Sequence, residues 1–390
     1  MPSRRTRRST RSRVPDVRVV TVVGTRPEII KLSRVMSLLD ETDEHIVVHT
    51  GQNYDRQLNQ VFFEELDLRP PDHQLDCAGP TAFSTIGAVL VQTDELFRRL
   101  RPDAVLILGD TNSAMCAMSA KRNRIPVFHM EAGNRSFDDR VPEEINRRVV
   151  DHLSDVNMPY TEHARRYLLR EGLAPDRVIK TGSPQKEVLT HYADRIAASD
   201  VLERLGLESG GYLAASIHRE ENVDEPHRLR LLMECLGAVA DDTGRPIVLS
   251  VHPRTRARMD EHGIAVPDAV RAMPPLGLPD YVRLQSESHC TVSDSGTITE
   301  ESSILGFPAI TIREAHERPE GMDVGAVVMS GLHPGDAVAA VRLARLKAER
   351  GLGRVTPPDY DVDDVSIRVV NVIHSYVDFV NRRVWSRPPV

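Results

Sequence analysis

From residue 17 the chain alternates short runs of β-branched and aliphatic residues with longer stretches whose apolar positions recur at helical spacing. Runs at 17–23, 46–49, 104–108 and 126–130, bounded by Gly, Asp or Pro, read as buried strands. Between them, 27–39 places Ile29, Ile30, Leu32, Val35, Met36, Leu38 and Leu39 on a helical stripe, and 58–66, 84–100 and 113–122 have the same character. Helices at 144–152 and 162–171 enclose a further run at 155–158, and 178–184 predicts a last strand running into a turn. A second series has strands at 212–217, 247–251, 290–292, 309–312 and 325–329, with helices at 228–241 and 299–305. Such alternation predicts an α/β fold with parallel sheets and right-handed crossovers. Two Rossmann-like domains facing each other across a cleft follow from it: one at 17–184 that takes back a C-terminal helix at about 365–385, and one at 185–364.

Length agrees with that division, since 390 residues are enough for two or three domains that each bury a core. No apolar run approaches the roughly 20 residues that span a bilayer, so a membrane protein is not expected. The net charge of −7 is unevenly spread. Residues 1–16 form an arginine-rich tail, with six arginines and no acid in the first thirteen; beyond those thirteen, 44 basic side chains face 57 acidic ones, a formal charge of −13. Clustered arginine suits a nucleic-acid or membrane-surface arm. Paired arginines also resemble an export signal, but no apolar stretch or cleavage site precedes the first strand. The tail therefore reads as a disordered, dispensable extension, and nucleic-acid binding is not expected. Cys77, Cys116, Cys235 and Cys290 are scattered without CxxC pairing, which points to neither zinc nor disulfides and fits a reducing cytoplasm.

In open α/β sheets the ligand sits outside the carboxyl ends of the strands, so the residues just after each strand are the functional candidates. Gly24-Thr25-Arg26-Pro27-Glu28 follows the first run; Arg26 and the helix N-terminus suit an anion, with Lys31 one turn on. The turn is neither GxGxxG nor a Walker loop, which leaves NAD and ATP hydrolysis unsupported. Asp110 ends the third strand and Glu131 the fourth. Neighbouring parallel strands bring them together, and like charges sharing a site raise one pKa, as a general acid or base requires. The plainer reading of Asp110 is a helix cap. His218 and His252 stand at successive strand ends of the second half without an acid or Cys at metal-ligand spacing, so no metal is expected. Ser295 and Gly296 open a helix with free N–H groups that suit a phosphate, and Glu301 lies in position for ribose hydroxyls.

The densest chemistry lies at 129–147, where Glu131, Arg135, Asp138, Asp139, Arg140, Glu143, Glu144 and Arg147 follow a buried run. Such a stretch is either a self-paired, solvated loop or the wall of a cleft. Taken together, the strand ends describe a phosphate cradle in the second half opposite carboxylates in the first. That arrangement calls for a nucleotide-activated substrate handled by acids and bases, and leaves group transfer and isomerisation both open.

The ordered motifs Val23-Gly-Thr-Arg-Pro-Glu28, Thr50-Gly-Gln52, Gly109-Asp-Thr111, His129-Met-Glu-Ala-Gly133, Pro142-Glu-Glu-Ile-Asn-Arg147, His218-Arg-Glu-Glu-Asn222, Val251-His-Pro253, Asp294-Ser-Gly296 and Glu317-Arg-Pro-Glu320 resemble those of the non-hydrolysing UDP-N-acetylglucosamine 2-epimerases. The match extends from about residue 17 to 329. The resemblance implies a GT-B-like fold with UDP held mainly by the second domain, and interconversion of UDP-GlcNAc and UDP-ManNAc without metal or nicotinamide cofactor. It implies elimination of UDP to 2-acetamidoglucal and re-addition. Matched motif by motif, it assigns Asp110, Glu131 and Glu143 as acid/base carboxylates, Arg147 as their orienting partner and His218 as a group beside sugar and diphosphate. It assigns Arg26, Lys31, Ser295, Gly296 and Arg318 to phosphate, Glu301 to ribose and Tyr281 to uracil; His252 joins the substrate-binding set. A UDP-sugar substrate and a homodimer are the partners expected.

The chain departs from the family pattern in three places. Gly296-Thr297 replaces a double Gly, Asn53-Tyr54 a His-Arg, and Glu220 an Arg, which argues against activation by a second UDP-GlcNAc. Asn134 with Ser136-Phe137-Asp138 is closer to a branch that converts UDP-2-acetamido-2,6-dideoxy-L-talose to UDP-N-acetyl-L-fucosamine. The rival class is a UDP-sugar glycosyltransferase, which needs an acceptor groove rather than three carboxylates at the sugar.

Overall fold

Runs of Val, Ile, Leu and Ala buried on both faces suit the centre of a parallel sheet, and the chain has two such sheets. The computed structural model describes residues 17–52, 63–352 and 355–387. The arginine-rich tail, Asn53-Tyr54 and the first part of the helix expected at 58–66 lie outside the described residues. Among those described, the first sheet contains β1 (Arg18–Val23), β2 (Glu44–His49), β3 (His73–Gln74), β4 (Ala104–Leu108), β5 (Val127–Met130) and β6 (Val156–Met158), in the order β3-β2-β1-β4-β5-β6. The second contains β7 (Leu213–Ile217), β8 (Ile247–Val251), β9 (Val270–Met273), β10 (Thr291–Ser293), β11 (Ala309–Thr311) and β12 (Val328–Met329), in the order β12-β11-β10-β7-β8-β9. Every ladder is parallel. Each sheet thus reverses direction between its first and fourth strands, which opens a crevice at β1/β4 and another at β7/β10.

The expected strands at 104–108 and 247–251 coincide with β4 and β8. Three differences have physical causes. The strand expected at 178–184 makes only a single bridge, Val178 to Asn157, because Gly182 at φ +88° and Pro184 turn the chain away from β6. β3 has only two residues and β9 includes Arg271, so neither shows a hydrophobic pattern. Helices Pro253–Glu261, Leu278–Ser286 and Pro334–Glu349 also went unanticipated; each begins with Pro in its first turn, a start signal hidden among the Pro residues of that region.

The core of the first sheet includes Val19, Leu106, Phe128 and Met158, and receives Val365, Val369, Ile373 and Val380 from the final helix, Val365–Trp385. Helix Gln185–His191 adds Val188 and Leu189. Leu278 and Val282 join this core although their helix lies between strands of the second sheet. At about 1.5–3 kcal/mol for each buried aliphatic side chain, that helix is a substantial tie between the halves. The second core is built from Leu213, Ile217, Leu249, Val292 and Ile310 with helix Pro226–Thr243. Among the described residues no helix is long and apolar enough to cross a membrane.

Candidate active site

The turn after β1 is tied to the turn after β4. A Cβ on Gly24 would lie 1.9 Å from Ser113 Oγ and 2.4 Å from Thr50 Oγ1, so only glycine fits there. Glu28 accepts the backbone N–H of Gly24 at 2.8 Å and of Thr25 at 2.6 Å, and its other oxygen accepts Thr111 Oγ1 at 2.7 Å. This capping box starts helix Arg26–Thr42, and it fixes Arg26, Lys31 and Asp110 relative to one another.

Glu131, directly after β5, has φ +61°, an unfavourable left-handed conformation for a residue with a side chain. Its carboxylate accepts Lys31 Nζ at 2.6 Å and, from the other half of the molecule, Arg318 Nη2 at 3.0 Å. Glu300 completes the square, 3.2 Å from Arg318 Nη2 and 3.7 Å from Lys31 Nζ, and accepts Ser183 Oγ. The Tyr160 ring lies 5.6 Å from Lys31 Nζ and 5.9 Å from the Arg318 guanidinium carbon. Burial pushes the Glu131 carboxyl up, but Lys31 and Arg318 outweigh it and hold it at about 2.

Asp110 and Glu131 do not form the like-charged pair that adjacent strand ends suggest. Arg147 Nη2 binds Asp110 Oδ2, and Glu131 has cations of its own. Within the stretch 129–147, Glu143 has a raised pKa. Burial drives it upward, Arg219 opposes and Asp110 reinforces, while its Oε2 is buried without a hydrogen-bond partner. Its pKa thus moves in the direction that favours the protonated carboxyl, the direction a general acid needs. The stretch 129–147 divides three ways. Glu131, Glu143 and Arg147 face the cleft. His129, Asp151, Arg135 and Glu171 form an ionic chain behind it, with His129 Nδ1 3.0 Å from Asp151 and Arg135 Nη1 2.8 Å from Asp151. Asp138 and Arg140 pair with each other at 2.7 Å and line a cavity against Glu221, Arg228 and Arg313 of the other half.

In the second half, buried Asp294 organises the loop after β7. It accepts the backbone N–H of His218 at 3.1 Å and of Arg219 at 3.0 Å, and lies 3.3 Å from His218 Nδ1. Burial lowers the His218 pKa, Asp294 opposes, and Arg219 and Arg313 reinforce the lowering, which favours the neutral ring. Gly296 opens helix Thr297–Leu305; a Cβ there would point at Arg219 Nη2, 3.4 Å away, and Arg318 Nε, 4.0 Å away. Ser295 Oγ is 2.9 Å from Thr297 Oγ1 beside it. A helix N-terminus flanked by two guanidinium groups suits an anion, although Glu317 Oε2 also stands 3.7 Å from that Cβ position. Glu317 balances them, 3.3 Å from Arg219 and 2.9 Å from Arg313.

Glu301 accepts Gln285 Nε2 at 3.0 Å and Gln185 Nε2 at 3.3 Å. Burial raises its carboxyl to about 7, with the hydrogen bond from Gln285 opposing and Glu300 adding. Tyr281 packs against the cluster of Tyr212, Ala214, Val248 and Leu284, and burial and then Glu301 raise its phenol. Arg26 faces this corner: burial lowers its pKa against the pull of Glu65, Tyr281 and Glu301. His252 reaches the surface with its ring partly enclosed and caps helix Pro253–Glu261, accepting Arg254 N at 3.3 Å; that enclosure and then the neighbouring His218 lower its pKa. It belongs to the rim.

The structure thus gathers Arg26, Lys31, Asp110, Glu131, Glu143 and Arg147 of one half opposite His218, Tyr281, Ser295, Gly296, Glu301 and Arg318 of the other. Sequence reasoning passed over Glu300, Glu317, Arg219, Glu144 and Tyr160. Arg219, Glu317 and Glu144 lie inside the quoted motifs and Glu300 directly precedes Glu301, so motif membership and adjacency were the available signals; for Tyr160 the signal was its place just after the run at 155–158.

Residues 37–374 match the family model described as UDP-N-acetylglucosamine 2-epimerase. A solved structure of UDP-N-acetylglucosamine 2-epimerase from Rickettsia bellii is 45% identical, with a TM-score of 0.87 over 95% of this chain and 100% of that one. The Methanocaldococcus jannaschii UDP-GlcNAc 2-epimerase in complex with UDP-GlcNAc and UDP is 30% identical, with a TM-score of 0.86 over 92% and 99%. A Pseudomonas aeruginosa protein named UDP-2,3-diacetamido-2,3-dideoxy-D-glucuronate 2-epimerase is 34% identical over 81% of this chain and 88% of its own length. The α/β architecture is that of the GT-B-like epimerases, and the chain belongs to the UDP-N-acetylglucosamine 2-epimerase family.

Proposed function

We propose that the chain is a non-hydrolysing UDP-GlcNAc 2-epimerase that interconverts UDP-GlcNAc and UDP-ManNAc. The observation that carries this reading is the meeting of Asp110, Glu131 and Glu143 with the Gly296 turn, Arg219 and Arg318 across the cleft. A carboxylate removes the C2 proton, the C2–H electron pair forms the C1=C2 bond, and the C1–O bond breaks to release UDP. The glucal intermediate is then protonated at C2 on its other face, and UDP re-adds to C1. Only protons and diphosphate move, so redox is balanced without a nicotinamide. Arg26, Lys31, Ser295, Gly296 and Arg318 stabilise the departing diphosphate, where charge develops. Glu301 takes the ribose hydroxyls, Tyr281 packs on the uracil, and His218 and His252 line the sugar and phosphate side. Glu143, with its raised pKa, is the group suited to carry a proton. Arg147 orients Asp110.

Incubation of the protein with UDP-GlcNAc in D2O tests this. Deuterium at C2 and the appearance of UDP-ManNAc are expected; the absence of both sinks the GlcNAc assignment. UDP-2-acetamido-2,6-dideoxy-L-talose, yielding UDP-N-acetyl-L-fucosamine, is the second substrate to try. The departures at Asn134 to Asp138 favour it, and the Pseudomonas aeruginosa relative is named for a different UDP-2-acetamido sugar.

The reading includes a cytoplasmic enzyme with a first domain of 17–184 plus the helix at about 365–385 and a second of 185–364, helix Gln185–His191 lying at the crossing. It also includes a homodimer. An exposed apolar face supports the dimer: Phe83 and Val91 on helix Ala82–Leu100, Met118 on Cys116–Arg122, and Ile145 and Val149 on Pro142–Leu153, helices that pack side by side.

A further inference from the structure

Glu144 is a fully buried carboxylate, directly after Glu143 in helix Pro142–Leu153. It has four donors. Ser136 supplies its backbone N–H at 2.9 Å and its hydroxyl at 3.2 Å, Arg147 supplies Nη1 at 2.9 Å, and Arg148 supplies Nη2 at 3.1 Å. The spacing explains the geometry, since residues three and four further along a helix stand over the same face. The other nitrogen of the same Arg147 guanidinium, Nη2, binds Asp110. Ser136 belongs to the loop between β5 and this helix, where the chain departs from the commonest family pattern.

We propose that Glu144 is a positioning residue: it fixes Arg147 against Asp110 and ties the variable loop at Ser136 to that pair. The deduction rests on the epimerase reading and adds a residue to it. A guanidinium held at one edge by Glu144 presents its other edge to Asp110 in a single orientation. Without Glu144, Arg147 still feels Asp110 most strongly, with Glu317 and Glu131 also acting on it, but it loses the hold on its other edge that fixes one orientation against Asp110. The loop at Ser136 then loses one of its anchors together with the acid/base pair, Arg135 still being held by Asp151 and Glu171. A change at Ser136 and a change at Asp110 are therefore read through the same carboxylate.

The test is a double-mutant cycle of Glu144→Gln, Arg147→Lys and the pair, with the full chain. Glu144→Gln is expected to lower kcat about ten- to hundredfold while KM stays within about threefold. In the Arg147→Lys background the same change should lower kcat no further. UDP affinity, measured by calorimetry, should not change, because the cradle lies in the other half. Fully additive losses, unaltered kcat, or UDP affinity falling in step with kcat would each overturn the role. If Glu144→Gln does not fold, Glu144→Asp keeps the buried charge but shortens its reach, and the same non-additivity is expected. A crystal structure of the variant gives a readout independent of turnover: Arg147 still in its single orientation on Asp110 refutes the proposal even if the substrate class has been misread. A wild-type enzyme inactive on every UDP-2-acetamido sugar sinks the epimerase reading alone.

Discussion

Two carboxyls on one short stretch are driven in opposite directions by their surroundings. Glu131 is held at about 2 by Lys31 and Arg318 against its burial, and Glu143 is raised because burial outweighs Arg219. Both acids were found from the sequence, Glu131 by its place after a strand and Glu143 by the motif it shares with the family. The raised pKa expected where Asp110 and Glu131 end neighbouring strands does not appear at Glu131, because the cations that lower it come from residues far apart in the chain. Glu301 gives the sharpest pH consequence. Its carboxyl titrates at about 7 when folded, against 4.5 as the ordinary value. The folded chain therefore holds this proton to higher pH, so the contribution of Glu301 to stability is fully present below about pH 4.5 and is lost as pH rises through about 7. Ribose hydroxyls donate best to the ionised form. UDP affinity should accordingly strengthen about tenfold between pH 6 and pH 8, as expected when ionisation centres near 7. Calorimetry on wild type and Glu301→Gln checks this, the variant cancelling the titration of the diphosphate itself. Parallel pH profiles for the two proteins would refute it.

At the scale of elements, helix Pro142–Leu153 works on three sides. Glu143 and Arg147 face the cleft, Asp151 holds Arg135 and His129 behind it, and Ile145 and Val149 are exposed. Its helical period was legible, and so was the charge on its inner side. The exposed apolar positions were not separable from core positions, because periodicity shows that a face is apolar without showing what covers it. Short strands were lost for a related reason: β3 pairs through two residues, too few for any pattern. If the outer face is a dimer contact, Phe83→Glu with Val91→Glu should produce monomers. Two charges placed in an apolar contact weaken association by at least about a hundredfold. Sedimentation at micromolar concentration distinguishes the outcomes. A monomeric wild type removes the dimer, and a variant that remains dimeric moves the interface elsewhere.

For the whole molecule, the square of Lys31, Arg318, Glu131 and Glu300 is the junction where the halves meet, and neither half contains it alone. Lys31 and Glu131 come from the first sheet's side, Arg318 and Glu300 from the second's. Parallel β/α alternation was enough to read two facing sheets from the sequence, but no local pattern pairs residue 131 with residue 318. Buried ion pairs of this kind add little net stability, while removal of one partner is costly because a charge is left without compensation. Arg318→Met leaves two buried carboxylates facing a single ammonium group, and should destabilise the protein by about 3–5 kcal/mol. Adding Glu300→Gln removes the surplus charge and should recover at least about half of that loss. Denaturant unfolding of the three proteins measures both changes. Activity should not return in the double variant, because Arg318 also borders the Gly296 cradle, with Nε 4.0 Å from where a Cβ would stand. A single variant as stable as wild type would show that the square does not hold the halves together in solution. Recovery of turnover along with stability would show that Arg318 serves the junction rather than the diphosphate.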